Sequence, residues 1–565
     1  MKFRSVLAVG AAASLSIGLA VAAGPAAHAG GATSGTLTEY NVLAQEGATD
    51  QAVRAAVQAS GGSVQAVNGA VGMYTVRAPE NGFALAMSHS KAVIGAARLR
   101  PIGWTPDAKI QRRLVENEGT GHAGKSQPRS AKLDPLDDKL WGLKMVRADK
   151  ARRIQAGSHR VLVGVLDSGI DASNPDLAPN FNWQLSRNFV TDIPTVNGRD
   201  FDGPCEFAGC VDPIGWDDDG HGTHVSGTIG AAANGIGVSG VAPNVSLVEI
   251  RGGQDSGFLF LGPVVNALTY GADVGLDVIN MSFYVDPWLY NCTANPADTP
   301  AEQAEQRAII AAMNRALNYA HRKGVTLVGS LGNNHEDLGK PRTDLSSPDF
   351  PPKTEHPRPI DNASCVDLPV EGPHVIGVSA LGPSGRKADY SNYGTEQISV
   401  AAPGGWFRDG LGTASYRTLG NEILSTYPKK PLQEQGLVDA NGDVTPAGDG
   451  TVFKQCTASG QCGYYTYLQG TSMASPHTTG VAALIVSEYG ERDRVHGGLT
   501  LNPNTVERIL LRSAAKHACP TPRLQSYVDV GRPAEFDALC EGSTRFNGFY
   551  GHGIVDAYAA VTQED

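Results

Sequence analysis

Three short stretches of this sequence place a carboxylate, an imidazole and a hydroxyl where each could act on a substrate. The apolar run 161–166 ends in Asp167-Ser168-Gly169-Ile170-Asp171, so Asp167 sits at the carboxyl end of a buried strand, the edge at which open α/β sheets bind ligands. A lone aspartate there serves equally well as a cap for the next element. His221 lies in Asp219-Gly220-His221-Gly222-Thr223-His224-Val225-Ser226-Gly227, where small residues let the backbone pack closely around an imidazole. The spacing of His221 and His224 lacks the glutamate that follows the first histidine of a zincin helix, which ranks general base above metal ligand. Ser472 lies in Gly470-Thr471-Ser472-Met473-Ala474-Ser475-Pro476-His477 and opens a helical pattern carried on by Val481, Ala482, Leu484 and Ile485. A serine at that position is ordinarily an N-cap. The free amides and partial positive charge of a helix start also suit an oxyanion held beside an attacking hydroxyl.

In the chain order Asp, His, Ser, these stretches resemble the three signature motifs of the subtilisin family. Chymotrypsin-like and α/β-hydrolase enzymes carry the trio in other orders, and no Gly-x-Ser-x-Gly elbow surrounds Ser472. The resemblance implies a serine endopeptidase in which His221 takes the Ser472 proton and returns it to the leaving amine, while Asp167 fixes the imidazole tautomer. Gly332-Asn333, after the run 325–331, matches the Gly-Asn of the family's oxyanion hole and makes Asn333 a second donor beside the Ser472 amide. Where the family carries a Ser-Leu-Gly-Gly-like segment that pairs with the substrate backbone, this chain has Ser282-Phe283-Tyr284-Val285. Ser282 and Gly332 are the implied substrate contacts. Tyr284, in place of a glycine, is expected to narrow or cover the first specificity pocket, which leaves the preferred side chain open. The resemblance also implies structural calcium, held by Asp176, Asn234 and Asp137 side chains with the carbonyls of Ala232, Ile236 and Val238. No cofactor is expected for the chemistry.

The elements that must position these groups read as an α/β fold, a mostly parallel sheet with helices on both faces, over 134–565. Runs 161–166, 278–281 and 325–331 have the composition of strands buried on both faces. Between them 301–323 places Ile309, Ile310, Met313, Ala316, Leu317 and Ala320 on one side of a helix that stops at Gly324. The segments 188–216, 284–299, 337–372 and 404–467 are expected to be surface loops, some tied by disulfides. Residues 36–100 give the βαββαβ order of a small ferredoxin-like α+β domain, with Thr49 capping its first helix and Asn68-Gly69 turning a hairpin. The family resemblance makes this segment a propeptide that assists folding and blocks the cleft until it is removed. Residues 101–133, polar and glycine-containing, read as an exposed linker, with the mature chain starting near Asp134.

Lys2 and Arg4, an apolar stretch 6–23 and Ala27-His28-Ala29 form the three parts of a secretory signal, cut after Ala29. A secreted, extracellular protein without a stable membrane anchor is therefore expected. The eight cysteines then suit disulfides, and pairing neighbours gives Cys205–Cys210, Cys292–Cys365, Cys456–Cys462 and Cys519–Cys540. A formal net charge of -11 opposes a nucleic-acid partner. The expected partners are peptide or protein substrates and the chain's own propeptide, on a monomer. A binding or scaffold protein with an occluded cleft, and an esterase using the same trio, are the alternatives.

Overall fold

Short runs of apolar, largely β-branched residues pay no penalty for burial on both faces once their backbones pair, and in this chain they pair in parallel. The structure, a computed structural model, describes residues 36–98, 114–119, 134–196, 198–348 and 355–563. The signal segment 1–29 and most of the linker lie outside them. Among the described residues, seven strands form one sheet in the order Val400–Pro403, Val375–Leu381, Thr326–Ser330, Val278–Met281, Leu162–Leu166, Ser246–Arg251 and Arg187–Asn188. Every neighbouring pair is parallel. The first of these strands in the chain lies inside the sheet with later strands on both sides, so the winding reverses beside Leu162–Leu166 and opens a crevice at the carboxyl ends.

Alternating side chains of that strand enter two layers. Val163 and Val165 pack with helices His221–Gly230 and Thr471–Tyr489, whereas Leu162 and Leu166 pack with helices Leu261–Asp273 and Pro300–Arg322. The last of these starts at a capping box, Thr299 with Glu302, and runs to Gly324, whose φ of 104° ends it. Of the six residues expected on its inner side, Ile310 alone is only partly buried.

The N-terminal segment forms an antiparallel sheet ordered Ser63–Asn68, Met73–Pro79, Leu37–Ala44, Val93–Arg98, with helices Asp50–Ala59 and Phe83–Ser88. Tyr40, Val42, Val53, Val57, Val76, Phe83 and Met87 make its core. Thr49 caps the first helix as expected, accepting the Ala52 amide at 3.2 Å. The hairpin differs from the expected two-residue turn: Asn68 pairs with Met73, so the connection takes four residues. The cause is tertiary. Val71 is buried among the residues of helices Leu261–Asp273 and Pro300–Arg322, and Arg315 Nη1 donates to the carbonyls of Val71 and Ala44, each at 3.0 Å. From Leu37 onward the chain is one compact unit.

All four neighbour-paired disulfides are present. The segments they tie are also anchored by buried arginines: Arg251 reaches Asp212 at 2.7 Å, and Arg358 reaches Asp344 at 2.6 Å and Asp298 at 3.0 Å. The expectation that 404–467 is a surface loop is corrected. Ile423–Tyr427, Phe453–Cys456 and Cys462–Leu468 form a three-stranded sheet, and Ile423–Tyr427 covers helix His221–Gly230. Ser425 and Thr426 donate to the carbonyls of His224 and Thr223 at 2.7 and 2.8 Å, and Tyr465 is fully buried. The tyrosines of this segment cover a helix that would otherwise expose its outer face.

Candidate active site

Residues from four strand ends face the crevice. Asp167 directly follows Leu162–Leu166, Gly252-Gly253 follow Ser246–Arg251, Ser282 follows Val278–Met281, and Gly332-Asn333 stand just beyond Thr326–Ser330. Asp167 Oδ1 lies 2.7 Å from His221 Nδ1. The close approach depends on Gly222, where a Cβ would fall 2.2 Å from the Gly169 carbonyl oxygen and 3.0 Å from Asp167 Cβ. His221 begins its helix, and the free amides of that helix start are taken by groups the motif does not advertise. Asp217 accepts the amides of Gly220 at 2.9 Å and Thr223 at 3.0 Å, together with the hydroxyls of Thr223 at 2.6 Å and Ser168 at 3.0 Å. The sequence reading missed Asp217; its signal is an acidic residue six positions before Thr223, ahead of a helix whose N-cap, Gly220, has no side chain.

Ser472 occupies the first turn of Thr471–Tyr489. Its hydroxyl donates to the Ser282 carbonyl at 3.3 Å, not to His221. Ser282 Oγ in turn donates to Ser472 O at 3.2 Å and accepts from Ser475 Oγ at 2.6 Å, so Ser282 fixes the start of the serine helix. Asn333 Oδ1 accepts the Thr471 amide at 2.9 Å and the Thr471 hydroxyl at 2.8 Å. This anchors the carbonyl end of the side chain and leaves Nδ2 beside Gly470. Gly332 has φ 98°, and a Cβ there would lie 2.5 Å from Asn392 Nδ2, so only glycine lets the strand turn into this position. Tyr284 is half-buried against the cluster of Leu289, Tyr290 and Val370.

The other ring nitrogen of His221 faces a residue from the linker. Glu116 Oε1 lies 3.5 Å from His221 Nε2, and the Glu116 side chain is 5% exposed. Burial alone lowers the pKa of the imidazolium, but the carboxylates of Asp167 and Glu116 outweigh it and push the value up to about 10. The expectation of an exposed linker is thereby corrected for 114–119. Residues 114–116 make a helical turn, the Gln469 amide donates to the Glu116 carbonyl at 3.1 Å, and Gln469 Nε2 donates to the Val115 carbonyl at 2.8 Å. A signal was present: between Lys109 and Lys132 the only acidic residues are Glu116 and Glu118. His224 is a core histidine. Its Nε2 lies 3.0 Å from the Ile423 carbonyl, and burial, aided by the charge of His221, lowers its pKa to about 3.

The six residues implied for calcium converge but do not fit a cation cage. Asp176 Oδ2 accepts the Val238 amide and the Tyr465 hydroxyl, both at 2.9 Å, so an N–H of Val238 faces the carboxylate. Asn234 is spent on the Pro175 carbonyl at 3.0 Å and the Ile236 amide at 3.2 Å. Asp137 is spent on the amide and hydroxyl of Ser239 at 2.8 and 2.6 Å. Ala232 gives its amide to the Asp176 carbonyl at 2.8 Å. Of the Asp176, Asn234 and Asp137 side-chain oxygens, Asp176 Oδ1 alone is left without a partner, so the side chains expected as ligands are engaged within the protein and not turned to a cation. Tyr465, from the segment expected to be a loop, makes the difference.

Comparison with known proteins gives one consistent relationship. The profile of the Subtilase family matches residues 158–553. Subtilisin DY of Bacillus licheniformis is 28% identical over 349 residues, covering 62% of this chain and 85% of the relative. Thermitase of Thermoactinomyces vulgaris is 25% identical, covering 66% of this chain and 91% of the relative. The nisin leader peptide-processing serine protease of Lactococcus lactis subsp. lactis is 26% identical, covering 67% and 46%. Among solved structures, the epidermin leader peptide processing serine protease of Staphylococcus aureus superposes with a TM-score of 0.60 at 19% identity, covering 93% of this chain and 98% of that one. A profile match across most of the chain, on the parallel sheet described above, places this protein in the subtilase family as a subtilisin-like serine endopeptidase.

Proposed function

We propose that the chain is a secreted zymogen whose mature form hydrolyses peptide bonds through Asp167, His221 and Ser472, with an acyl-enzyme intermediate. The observation that carries this reading is the 2.7 Å contact between Asp167 Oδ1 and His221 Nδ1, on a histidine whose Nε2 faces Glu116 at 3.5 Å. When Glu116 leaves, Ser472 Oγ turns from the Ser282 carbonyl to Nε2. The hydroxyl proton passes to Nε2 as Oγ bonds to the scissile carbonyl carbon, and the oxyanion is met by the Ser472 amide and Asn333 Nδ2. Collapse breaks the C–N bond, and His221 gives its proton to the leaving amine. Water then gives a proton to the same nitrogen as its oxygen bonds to the acyl carbon, the bond from that carbon to Ser472 Oγ breaks, and His221 returns the proton to Oγ as the acid leaves. Asp167 holds the ring and offsets the charge of the imidazolium without taking its proton.

Before activation the N-terminal domain and linker act as intramolecular inhibitor and folding aid. Glu116 pairs with His221 and keeps it protonated, which removes the general base. The four disulfides suit an oxidising, extracellular location, and no helix of the described residues is long and apolar enough to cross a membrane. A relative named for processing a leader peptide supports a restricted substrate range. Expression of full-length Ser472→Ala tests the proposal. It is expected to leave the chain unprocessed and inactive on peptides, and processing or cleavage by the purified variant refutes it.

A further inference from the structure

Glu118 lies where the proposed chemistry needs no carboxylate, yet three donors hold it. Its oxygens face Arg408 Nε, Arg532 Nη2 at 2.7 Å and Gln469 Nε2 at 3.2 Å, and the side chain is 13% exposed. Neither guanidinium depends on Glu118 for its position. Arg408 Nη1 donates to the Val530 carbonyl at 2.8 Å. Arg532 Nε donates to Asp389 at 2.6 Å, and the Arg532 guanidinium lies 4.9 Å over the Phe536 ring. Asp389 is itself fully buried, so this arginine is braced from behind and its outer edge meets Glu118.

The charges at this place do not balance without an incoming anion. Two guanidinia face the one carboxylate of Asp389. Glu422 packs against Gly119, and with the linker in place burial raises its pKa well above the ordinary value. Lys387, beside Asp389, adds positive charge if anything; burial lowers its pKa to about 7 against the pull of Asp389. Removing Glu118 leaves a preorganised positive pair, the setting in which a carboxylate gains from paired arginine donors. The location is also specific. Gln469, which binds Glu118 through its side chain, stands three residues before Ser472 in the chain. The two arginines come from the segment after Val400–Pro403 and from the loop closed by Cys519–Cys540.

We propose that Arg408 and Arg532, braced by Asp389 and joined by Gln469, form a carboxylate-binding subsite of the protease cleft, so that the mature enzyme selects proteins with an acidic residue close to the scissile bond. Glu118 fills this subsite until the linker is removed. The inference rests on the protease reading above and names its substrate class.

Two arms test it. The first needs no catalysis: in full-length Ser472→Ala protein, amide exchange of residues 114–119 rises in Glu118→Gln and in Arg532→Gln, and the double variant exchanges no faster than the quicker single variant. Additive effects refute the clamp. The second arm uses enzyme matured from the full chain, with active serines counted by fluorophosphonate titration. Peptide pairs differ only by glutamate or glutamine at each position around the cut bond. Glutamate at one position is expected to raise kcat/KM by about 10- to 100-fold. Arg408→Gln and Arg532→Gln are expected to bring that ratio toward one, with Arg532→Lys, which keeps charge and fold but not the fork, in between. A titratable enzyme that cuts both members of every pair equally overturns the subsite. A protein with no titratable serine overturns the protease reading instead, and the exchange arm then decides the clamp alone.

Discussion

The two edges of the His221 ring are in different states. At Nδ1 the geometry is finished: Asp167 is 2.7 Å away, and Asp217 and Gly222 hold the helix start in place. At Nε2 the nucleophile is not engaged, because Ser472 donates to Ser282 and Glu116 stands 3.5 Å from the ring nitrogen. On the proposed reading, the orienting half of a general base is built into the strand ends, while its working half is closed by residues 114–119. Inhibition on that reading needs no distortion of the site, only a carboxylate where a hydroxyl is to bind.

The largest expected effect falls on the finished edge and the nucleophile. In subtilisin, loss of the serine costs about 2 × 10⁶ in kcat and loss of the aspartate about 3 × 10⁴. Ser472→Ala and Asp167→Ala are expected in that order, measured as kcat on a peptide substrate. Asn333→Ala is expected to lose about 10²–10³ in kcat with little change in KM, since its amide acts on the transition state; equal loss in KM places Asn333 in ground-state binding.

The occupied edge predicts a pH effect. The His221 pKa is raised from its ordinary 6.5 to about 10, so the stabilisation from its carboxylate partners is fully present below about 6.5 and is lost as pH rises through about 10. Release of the linker, followed by maturation of wild-type zymogen, is therefore expected to quicken toward alkaline pH. Glu116→Gln removes one of the two carboxylates and is expected to move that rise to lower pH. An unchanged maturation profile separates Glu116 from inhibition. The smallest effect is structural: Asp217→Ala removes the capping acceptor of the His221 helix and is expected to cost about 1–3 kcal/mol in urea unfolding.

How far the sequence reached differs in the same way between the two edges. The strands 161–166 and 278–281 and the long helix ending at Gly324 were legible, because apolar periodicity and caps are local signals. The cysteine pairs, whose connectivity sequence cannot decide, agree with the simplest pairing of neighbours. The trio and Gly332-Asn333 were legible as motifs. Tyr465 at Asp176, the strand Ile423–Tyr427 over the histidine helix, and Glu116 at Nε2 were not, because each joins residues more than a hundred positions apart through tertiary packing that no local pattern encodes. The Asn68-Gly69 hairpin failed for a related reason, a local preference overridden by docking of Val71 onto two helices.

The most direct measurement is to label matured protein with a fluorophosphonate and map the adduct by mass spectrometry. A single adduct on Ser472, lost in His221→Ala, is the predicted result. An adduct on another residue, or a properly folded mature protein that takes up no label, contradicts the account.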